Sequence, residues 1–146
     1  KTKEMKQQIN FLYKYVVSDT APENVVTQLG NGIGAHQSVP YSLYSFLINK
    51  DSFVDCLFTS CLYGSDRDTM CAMACALSGT YNGVEEIPIE WYEKIENREY
   101  LETLSEWLWM MKIGNNDYKT THKYKEWINW VNEDNKIKCG ELLEEL

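Results

Sequence analysis

The 146-residue sequence has no long hydrophobic run, little proline and no excess of positive charge. The absence of a run of about 18 apolar residues argues against a membrane-spanning helix. Only 3 prolines and 8 glycines accompany 44% hydrophobic residues, so the composition is that of a folded domain. Lysine and arginine number 14 against 22 acidic residues, and the net charge of -8 argues against general nucleic-acid binding. We therefore expect a globular protein that binds neither a membrane nor a nucleic-acid backbone.

Cysteine spacing typical of a metal site is also missing. No C-x-x-C pair occurs among the five cysteines, which are Cys56, Cys61, Cys71, Cys75 and Cys139. Without such spacing or a neighbouring histidine cluster, zinc binding is disfavoured. An odd number of cysteines in apolar surroundings indicates reduced thiols that pack as small hydrophobes. We expect an intracellular location, in the cytoplasm or the nucleus.

Helical periodicity runs through the chain, and no segment alternates apolar and polar residues as a half-buried strand would. One face of the first predicted helix carries Ile9, Leu12, Tyr13 and Val16. Every residue from Met70 to Leu77 is apolar or small, which predicts a helix that is buried all round and is the most buried of the fold. The fold class is therefore all-α.

Capping residues predict where three of the helices begin. Thr20 and Glu23 have the spacing of a capping box, with Pro22 in the first turn. Ser38 is the predicted N-cap of the next helix, and Asp51 that of the helix after it.

Residues 30–34 form a glycine-rich loop, Gly30-Asn31-Gly32-Ile33-Gly34, directly before a predicted helix. Glycines at this density let a backbone approach a ligand closely and adopt positive φ. A loop that leads into a helix also offers free N–H groups to an anion. A helix C-cap followed by an ordinary turn explains the same glycines, so their spacing leaves both interpretations open.

A second polar segment, Ser65-Asp66-Arg67-Asp68-Thr69, follows Gly64 where the apolar helix begins. Two carboxylates and a hydroxyl within four residues are oxygen ligands of the kind that Mg²⁺ prefers. Asp66 and Asp68 converge only if Asp66 precedes the first helical turn. Ser65 and Asp68 also have the spacing of a capping box, so a structural role explains the segment as well.

The order of several segments resembles the C-terminal region of ADP-ribosylglycohydrolases. These segments are residues 29–33, 38–40, 64–69, 73–74, 79–83 and 87–91. The resemblance spans roughly residues 10–110. The sequence most resembles the branch of the family that acts on O-linked ADP-ribose, either attached to serine or within poly(ADP-ribose). The most specific part of the resemblance is the Asp-x-Asp-Thr sequence that enters a helix of small residues.

The resemblance implies an orthogonal helical bundle, of which this chain holds the C-terminal portion only. Residues 1–113 would form that part of the domain, and residues 114–146 an extra helical segment. It also implies hydrolysis of the glycosidic bond of ADP-ribose on a protein or in poly(ADP-ribose). That reaction would use two Mg²⁺ ions, which bind the ribose hydroxyls beside the scissile bond and a water molecule.

Site residues follow from the resemblance by position. Asp66, Asp68 and Thr69 are the implied metal ligands, and the two aspartates are also the implied catalytic residues. Asn31, Gly32 and Ile33 belong to the loop that touches ADP-ribose in the family.

Several departures from the family pattern bear on this function. Ser65 and Arg67 stand where the family has a glycine and a threonine, and Gln37 stands where relatives often have an acid. The family's remaining metal ligands come from an N-terminal Gly-Asp-rich motif, a Thr-Asp-Asp element and a glutamate, none of which occurs here. We therefore expect this chain alone to be inactive. The alternative is a degenerate, metal-free helical interaction module.

Arg67 separates the two hypotheses. A guanidinium turned inward would pair with Asp66 or Asp68 and take the place of a cation. A guanidinium turned outward would leave both acids free. Neighbouring side chains at a helix start point in different directions, which favours the outward orientation.

Overall fold

A computed structural model describes residues 3–18, 20–126 and 128–129, and these residues contain helices and no strand. The all-α prediction is confirmed. The α-helices of the described residues include α1 (Lys3–Val17), α2 (Pro22–Leu29), α3 (Ala35–Ile48), α4 (Phe53–Tyr63), α5 (Arg67–Asn82), α6 (Ile89–Tyr92) and α7 (Arg98–Lys112). Short 3₁₀ turns occupy Val84–Glu86 and Asp117–Thr120.

The chain forms two compact units that divide between Glu93 and Lys94. The boundary predicted from sequence, after residue 113, stays a prediction. The first unit contains α1 to α6 and both segments with candidate functional residues.

Helix α3 is the centre of the first unit, where it packs against α1, α4 and α5. Its tyrosines Tyr41 and Tyr44 are fully buried and join Leu12, Val25, Leu29 and Met70 in one apolar cluster. Buried serines lie beside them. The Ser42 hydroxyl donates to the Ser38 carbonyl at 2.8 Å, and the Ser45 hydroxyl to the Tyr41 carbonyl at 3.0 Å. Each hydroxyl is thus satisfied within its own helix and can be buried at little cost.

Helix α5 is not the most buried helix, so that prediction is wrong. Three of its residues are buried, against six in α3. Met70 and Ala74 face the core, whereas Ala72 and Ala76 are exposed. Small apolar residues are compatible with burial but do not require it, and in this chain α5 is packed against α3 and α4 on one side.

The predicted face of α1 is also partly wrong. Leu12 is buried, but Ile9 is 39% exposed and Tyr13 73% exposed. The buried stripe instead combines Leu12 with the half-buried Phe11, Tyr15 and Val16.

None of the three predicted caps is used. Helix α2 begins after Ala21 without a side-chain cap, although Pro22 does stand at its start. Helix α3 begins after Gly34, so Ser38 lies inside it. The N-cap of α4 is Ser52, whose hydroxyl accepts the Asp55 N–H at 3.2 Å. Adjacent residues compete for a cap, and the sequence alone does not show which one the preceding chain brings into position.

Helix α7 contributes a buried tryptophan to the second unit. Trp107 is 5% exposed, and its ring meets that of Tyr124 edge to face, with centroids 5.3 Å apart. Tyr118 packs on the same tyrosine at 5.2 Å. Trp107 therefore packs in the core of this unit, whereas Trp109 is 64% exposed. Trp127, Trp130, Cys139 and most of the predicted segment 114–146 lie outside the described residues.

The described cysteines are free thiols at the contact between α4 and α5. Burial raises the pKa of the Cys56 thiol to about 11 and that of the Cys75 thiol to about 12. Both thiols therefore stay protonated near neutral pH, in agreement with the prediction that they pack as small hydrophobes. Among the described residues, no helix has both the length and the hydropathy needed to cross a bilayer.

Candidate functional site

The glycine-rich loop and the acidic turn, 34 residues apart in sequence, meet at Asn31. The Asn31 carbonyl oxygen accepts the N–H groups of Ser65 at 3.1 Å and Asp66 at 3.3 Å. It also accepts the Ser65 hydroxyl at 2.6 Å, and the Asn31 side-chain amide donates to the Tyr63 carbonyl at 2.7 Å. Asn31 thus fixes the loop against the turn that carries the two candidate carboxylates.

Gln37, in the first turn of α3, supports the loop from its other side. Its Oε1 atom accepts the Gly32 N–H at 3.0 Å. A Cβ atom at Gly30 would come within 2.8 Å of the Gln37 side chain, and one at Gly32 within 2.5 Å of Oε1. Gly30 also has a φ of 77°, which L-residues rarely adopt. The backbone therefore favours glycine at position 30, whereas a side chain at position 32 would have to displace the Gln37 carboxamide.

The acidic turn, residues 65–69, runs from the residue before the N-cap of α5 into the first turn of that helix. Asp66 is half-buried, while Asp68 and Thr69 are exposed. Asp66 occupies the N-cap position of α5 without a side-chain capping bond, and the Ser65 hydroxyl bonds to Asn31 instead. The capping-box interpretation of this segment is therefore wrong, and helix capping does not account for the acids.

The two carboxyl groups interact with each other. A side-chain hydrogen bond with Asp66, followed by the backbone N–H of Thr69 at 3.0 Å, holds the pKa of the Asp68 carboxyl below its usual range. Asp68 is therefore ionised at neutral pH. The Oδ2 atom of Asp66 is buried without a hydrogen-bond partner.

Arg67 turns away from both acids. Its Nε atom donates to the Gly64 carbonyl at 3.2 Å. Burial raises the pKa of the nearby Cys71 thiol, and the Arg67 charge offsets only a small part of that rise. Within the part of the chain that the structure describes, Arg67 forms no ion pair with Asp66 or Asp68. This is the outward orientation that we favoured from the sequence.

The predicted site residues differ in how they are placed. The acids of the turn come together, and Asn31 brings the loop beside them. The side-chain amide of Asn31 and the N–H of Gly32 are both engaged inside the protein, whereas the Ile33 side chain is 86% exposed. Asn31 is therefore a positioning residue in this structure, and Ile33 is the predicted loop residue whose side chain is exposed to solvent.

Sequence reasoning missed the structural roles of Ser65 and Gln37. Gln37 had drawn attention only as a departure from the family pattern, and Ser65 as such a departure and as a possible helix cap. Both are hydrogen-bonded to the loop, Ser65 through the Asn31 carbonyl and Gln37 through the Gly32 N–H. Their polar side chains beside a glycine-rich loop are a signal, but the partner atoms cannot be chosen without the fold.

The oxygen set of the turn fits part of a Mg²⁺ shell. Asp66 and Asp68 are adjacent carboxylates, one with an unpartnered buried oxygen, and Thr69 adds a hydroxyl. Hard cations prefer such ligands and need about six oxygens. The described residues contain no group of three or more acidic, cysteine or histidine side chains that could hold a metal ion. These three residues alone would therefore offer only a fraction of the oxygens that a Mg²⁺ ion needs.

Comparison with known proteins places this arrangement in a family. The ADP-ribosylglycohydrolase family profile matches residues 1–118, which is most of the chain. This chain belongs to the ADP-ribosylglycohydrolase family. The prediction from the motif order is thereby confirmed.

Curated relatives of the chain include several proteins named ADP-ribosylhydrolase ARH3. The protein from Bos taurus is 38% identical over 94 residues, which cover 58% of this chain and 26% of the relative. The protein from Homo sapiens is 36% identical over 94 residues, which also cover 58% of this chain and 26% of the relative. An uncharacterised protein from Archaeoglobus fulgidus is 34% identical over 93 residues, or 64% of this chain and 30% of that protein. No solved structure matches the chain.

The matched segment spans only about a quarter of the length of the ARH3 relatives. The prediction of the ARH3 branch is confirmed by these matches, and so is the prediction that the chain is a partial portion of the family's all-α fold.

Proposed function

We propose that the complete protein hydrolyses the glycosidic bond of ADP-ribose attached to a protein or within poly(ADP-ribose), with Mg²⁺ as cofactor. Membership of the family and the name of the ARH3 relatives support a hydrolase of this class. The observation that carries the proposal is the junction at Asn31, which brings the glycine-rich loop against the turn of Asp66 and Asp68.

In this proposal Asp66, Asp68 and Thr69 hold the metal. When bound, Mg²⁺ supplies positive charge that orients the ribose hydroxyls and polarises a water molecule. Asp68 is ready to bind because its lowered pKa keeps it ionised. The unpartnered oxygen of Asp66 is a free acceptor at the same point.

The loop has a separate task in the proposed site. Asn31 and Gln37 hold its backbone in place, so the loop loses little conformational entropy when a ligand binds. Ile33 then offers an exposed apolar side chain beside the acids, where it would contact ADP-ribose. The remaining metal ligands are supplied by parts of the family domain outside this chain.

A chimaera tests the proposal. Residues 1–118 would replace their counterpart in human ADP-ribosylhydrolase ARH3, and hydrolysis of serine-linked ADP-ribose and Mg²⁺ binding would be measured. We expect activity, and we expect Asp66→Asn or Asp68→Asn to reduce kcat/KM by about a hundredfold or more through loss of a metal ligand.

The matched control is Asp51→Asn, because Asp51 is an exposed acid that pairs with Lys50 away from the turn. It should leave kcat/KM unchanged. A folded chimaera with no activity, or one whose activity survives both site substitutions, would refute the proposed function.

A further inference from the structure

Arg67 is an exposed cation in an acidic part of the chain. It lies between Asp66 and Asp68, and the whole sequence has a net charge of -8. Within the residues that the structure describes, its guanidinium nevertheless forms no ion pair with a carboxylate. An exposed arginine that does not pair with the acids beside it keeps its charge available for an anion from outside the chain.

The Gly64 carbonyl fixes one edge of this guanidinium. The Nε atom of Arg67 donates to that oxygen at 3.2 Å, and Gly64 is itself buried. A Cβ atom at position 64 would come within 2.6 Å of the Ser60 carbonyl oxygen, so the anchoring residue packs tightly against α4. The Nη groups carry the remaining donors and form no hydrogen bond in the described part of the chain. The Arg67 side chain is therefore anchored at Nε and has donors left for a ligand.

The anchor lies beside the glycine-rich loop. The residues on either side of Gly64 both bond to Asn31. The Tyr63 carbonyl accepts the Asn31 amide at 2.7 Å, and Ser65 donates its N–H and its hydroxyl to the Asn31 carbonyl at 3.1 Å and 2.6 Å. One segment, residues 63–65, therefore holds both the loop and the Arg67 guanidinium. A ligand that contacts the loop and the acidic turn comes close to this cation.

We propose that Arg67 binds a phosphate group of the ADP-ribosyl substrate and thereby increases the affinity of the site for it. The proposal rests on the proposed function, which places ADP-ribose against the loop and the turn. A guanidinium binds phosphate oxygens through two parallel N–H bonds, and the Nη edge of Arg67 is free to form them. Because the family pattern has a threonine at this position, the contact is specific to a chain with this arginine.

The acids beside Arg67 do not cancel its attraction for phosphate in the proposed site. Asp66 and Asp68 would hold Mg²⁺ there, and the charge of the ion offsets that of the two carboxylates. The guanidinium then adds a net positive charge at the turn. Because Arg67 is exposed, salt should weaken its attraction for the ligand.

Two sources of phosphate are open to this arginine. One is the diphosphate of the ADP-ribose unit whose glycosidic bond is cut, and the other is the diphosphate of the next unit in poly(ADP-ribose). Both present the same oxygens to the guanidinium, so two ligands are needed to distinguish them. They are ADP-ribose itself and a dimer of ADP-ribose in which carbon replaces the glycosidic oxygen, which prevents hydrolysis.

Binding of these ligands to the chimaera of residues 1–118 in human ADP-ribosylhydrolase ARH3 tests the proposal. Calorimetry would measure the affinity with Mg²⁺ present. Arg67→Thr should weaken the binding of both ligands by about tenfold at low salt, since a charged, bidentate contact is lost. The difference should shrink as salt is added. Arg67→Lys should fall between the two, because lysine keeps the charge without the planar fork.

A loss confined to the dimer would support the proposal and assign the phosphate to the neighbouring unit. Lys50→Thr is the matched control, because it removes a positive charge in the same unit from a residue that pairs with Asp51. This variant should bind both ligands as tightly as the unchanged chimaera. Circular dichroism of each variant should show unchanged helicity, which separates loss of binding from loss of folding.

The isolated chain gives a second measurement if a chimaera variant does not fold. In nuclear magnetic resonance spectra with Mg²⁺ and an excess of ADP-ribose, the Nε–H signal of Arg67 should shift. An Nε–H signal that ADP-ribose does not move would overturn the proposal.

The calorimetry has its own contrary outcomes. The proposal would be overturned by unchanged affinity of Arg67→Thr for both ligands, by a loss that salt does not reduce, or by an equal loss in Lys50→Thr. A chimaera that binds ADP-ribose through Arg67 but hydrolyses no substrate leaves this proposal standing and refutes the proposed function. An active chimaera whose affinity does not depend on Arg67 does the reverse.

Discussion

Asp66 and Arg67 are consecutive in the chain, but their side chains lie in different surroundings. The Asp66 carboxyl is half-buried with one oxygen unpartnered, and the Arg67 guanidinium bonds to the Gly64 carbonyl. The positive charge therefore does not neutralise the acids by direct pairing. This arrangement favours a turn able to accept a cation over the degenerate, metal-free alternative.

Substitution of Arg67 tests that arrangement directly. In the chimaera, Arg67→Thr should change Mg²⁺ affinity by about twofold or less, because the exposed guanidinium bonds to the Gly64 carbonyl instead of the carboxylates and solvent screens its charge. Calorimetry would measure the affinity. Lys50→Thr removes one positive charge within the same unit, where Lys50 pairs with Asp51, and serves as the control. A hundredfold gain specific to Arg67→Thr would mean that arginine blocks the site, and it would support the metal-free alternative.

The candidate site was only partly predictable at this scale. The Asp-x-Asp-Thr sequence at the start of α5 predicted the acids as candidate site residues, since carboxylates grouped at a helix start are visible in the sequence. The orientation of Asn31 was not predictable, because its amide bonds to the carbonyl of Tyr63, 32 residues away. Which atoms a polar loop residue engages depends on the segment that folds against it.

Helix α5 shows how burial differs from composition at the scale of an element. Its apolar and small residues suggested a helix enclosed on all sides, yet Ala74 is fully buried and Ala76 is exposed. Helix α3 is the more buried element, although tyrosine and serine provide most of its inward residues. Residue types of intermediate polarity are buried when their hydroxyl groups find partners, and sequence periodicity does not reveal those partners.

A pair of substitutions in α5 measures this difference. Ala74→Asp should reduce the free energy of unfolding by several kcal/mol, because it buries a charge without a partner. Ala76→Asp should cost less than about 1 kcal/mol, mostly from helix propensity. Urea unfolding followed by circular dichroism would give both values for the isolated chain. Similar losses at the two positions would contradict the assigned burial of α5.

The existence of the helices was predicted more reliably than their ends. Proline at the start of α2 and glycine at its end marked that helix correctly. The first residues of α3 and α4 were misplaced, since Gly34 and Ser52 take the N-cap positions instead of Ser38 and Asp51. Hydrophobic spacing extends over several turns and withstands local error, whereas a cap depends on the backbone angles of one residue.

At the scale of the whole molecule, the chain joins the glycine-rich loop to the acidic turn at Asn31. It would provide only part of the oxygen ligands of the proposed Mg²⁺ site. Isolated, it should show no hydrolysis of serine-linked ADP-ribose. It should bind Mg²⁺ only weakly, because water must fill most of the coordination positions around Asp66, Asp68 and Thr69. Calorimetry would measure binding, and Asp66→Asn combined with Asp68→Asn should remove the residual heat.

Two outcomes would contradict this prediction. A low-micromolar Mg²⁺ affinity of the isolated chain would mean that the described ligand set is complete without other segments. Turnover of the serine-linked substrate by the isolated chain would mean that the catalytic apparatus is complete as well.

The contact between Gln37 and Gly32 also has a consequence for how the sequence can evolve. The Gln37 carboxamide fills the space that a side chain at position 32 would need, and it bonds to the backbone there. A lineage that shortens residue 37 loses this support and at the same time frees position 32 to gain a side chain. While Gln37 keeps this position, a side chain at residue 32 has no room, so a substitution there must displace the carboxamide and give up its bond to the loop. A change at either position therefore alters which residues the other can accept.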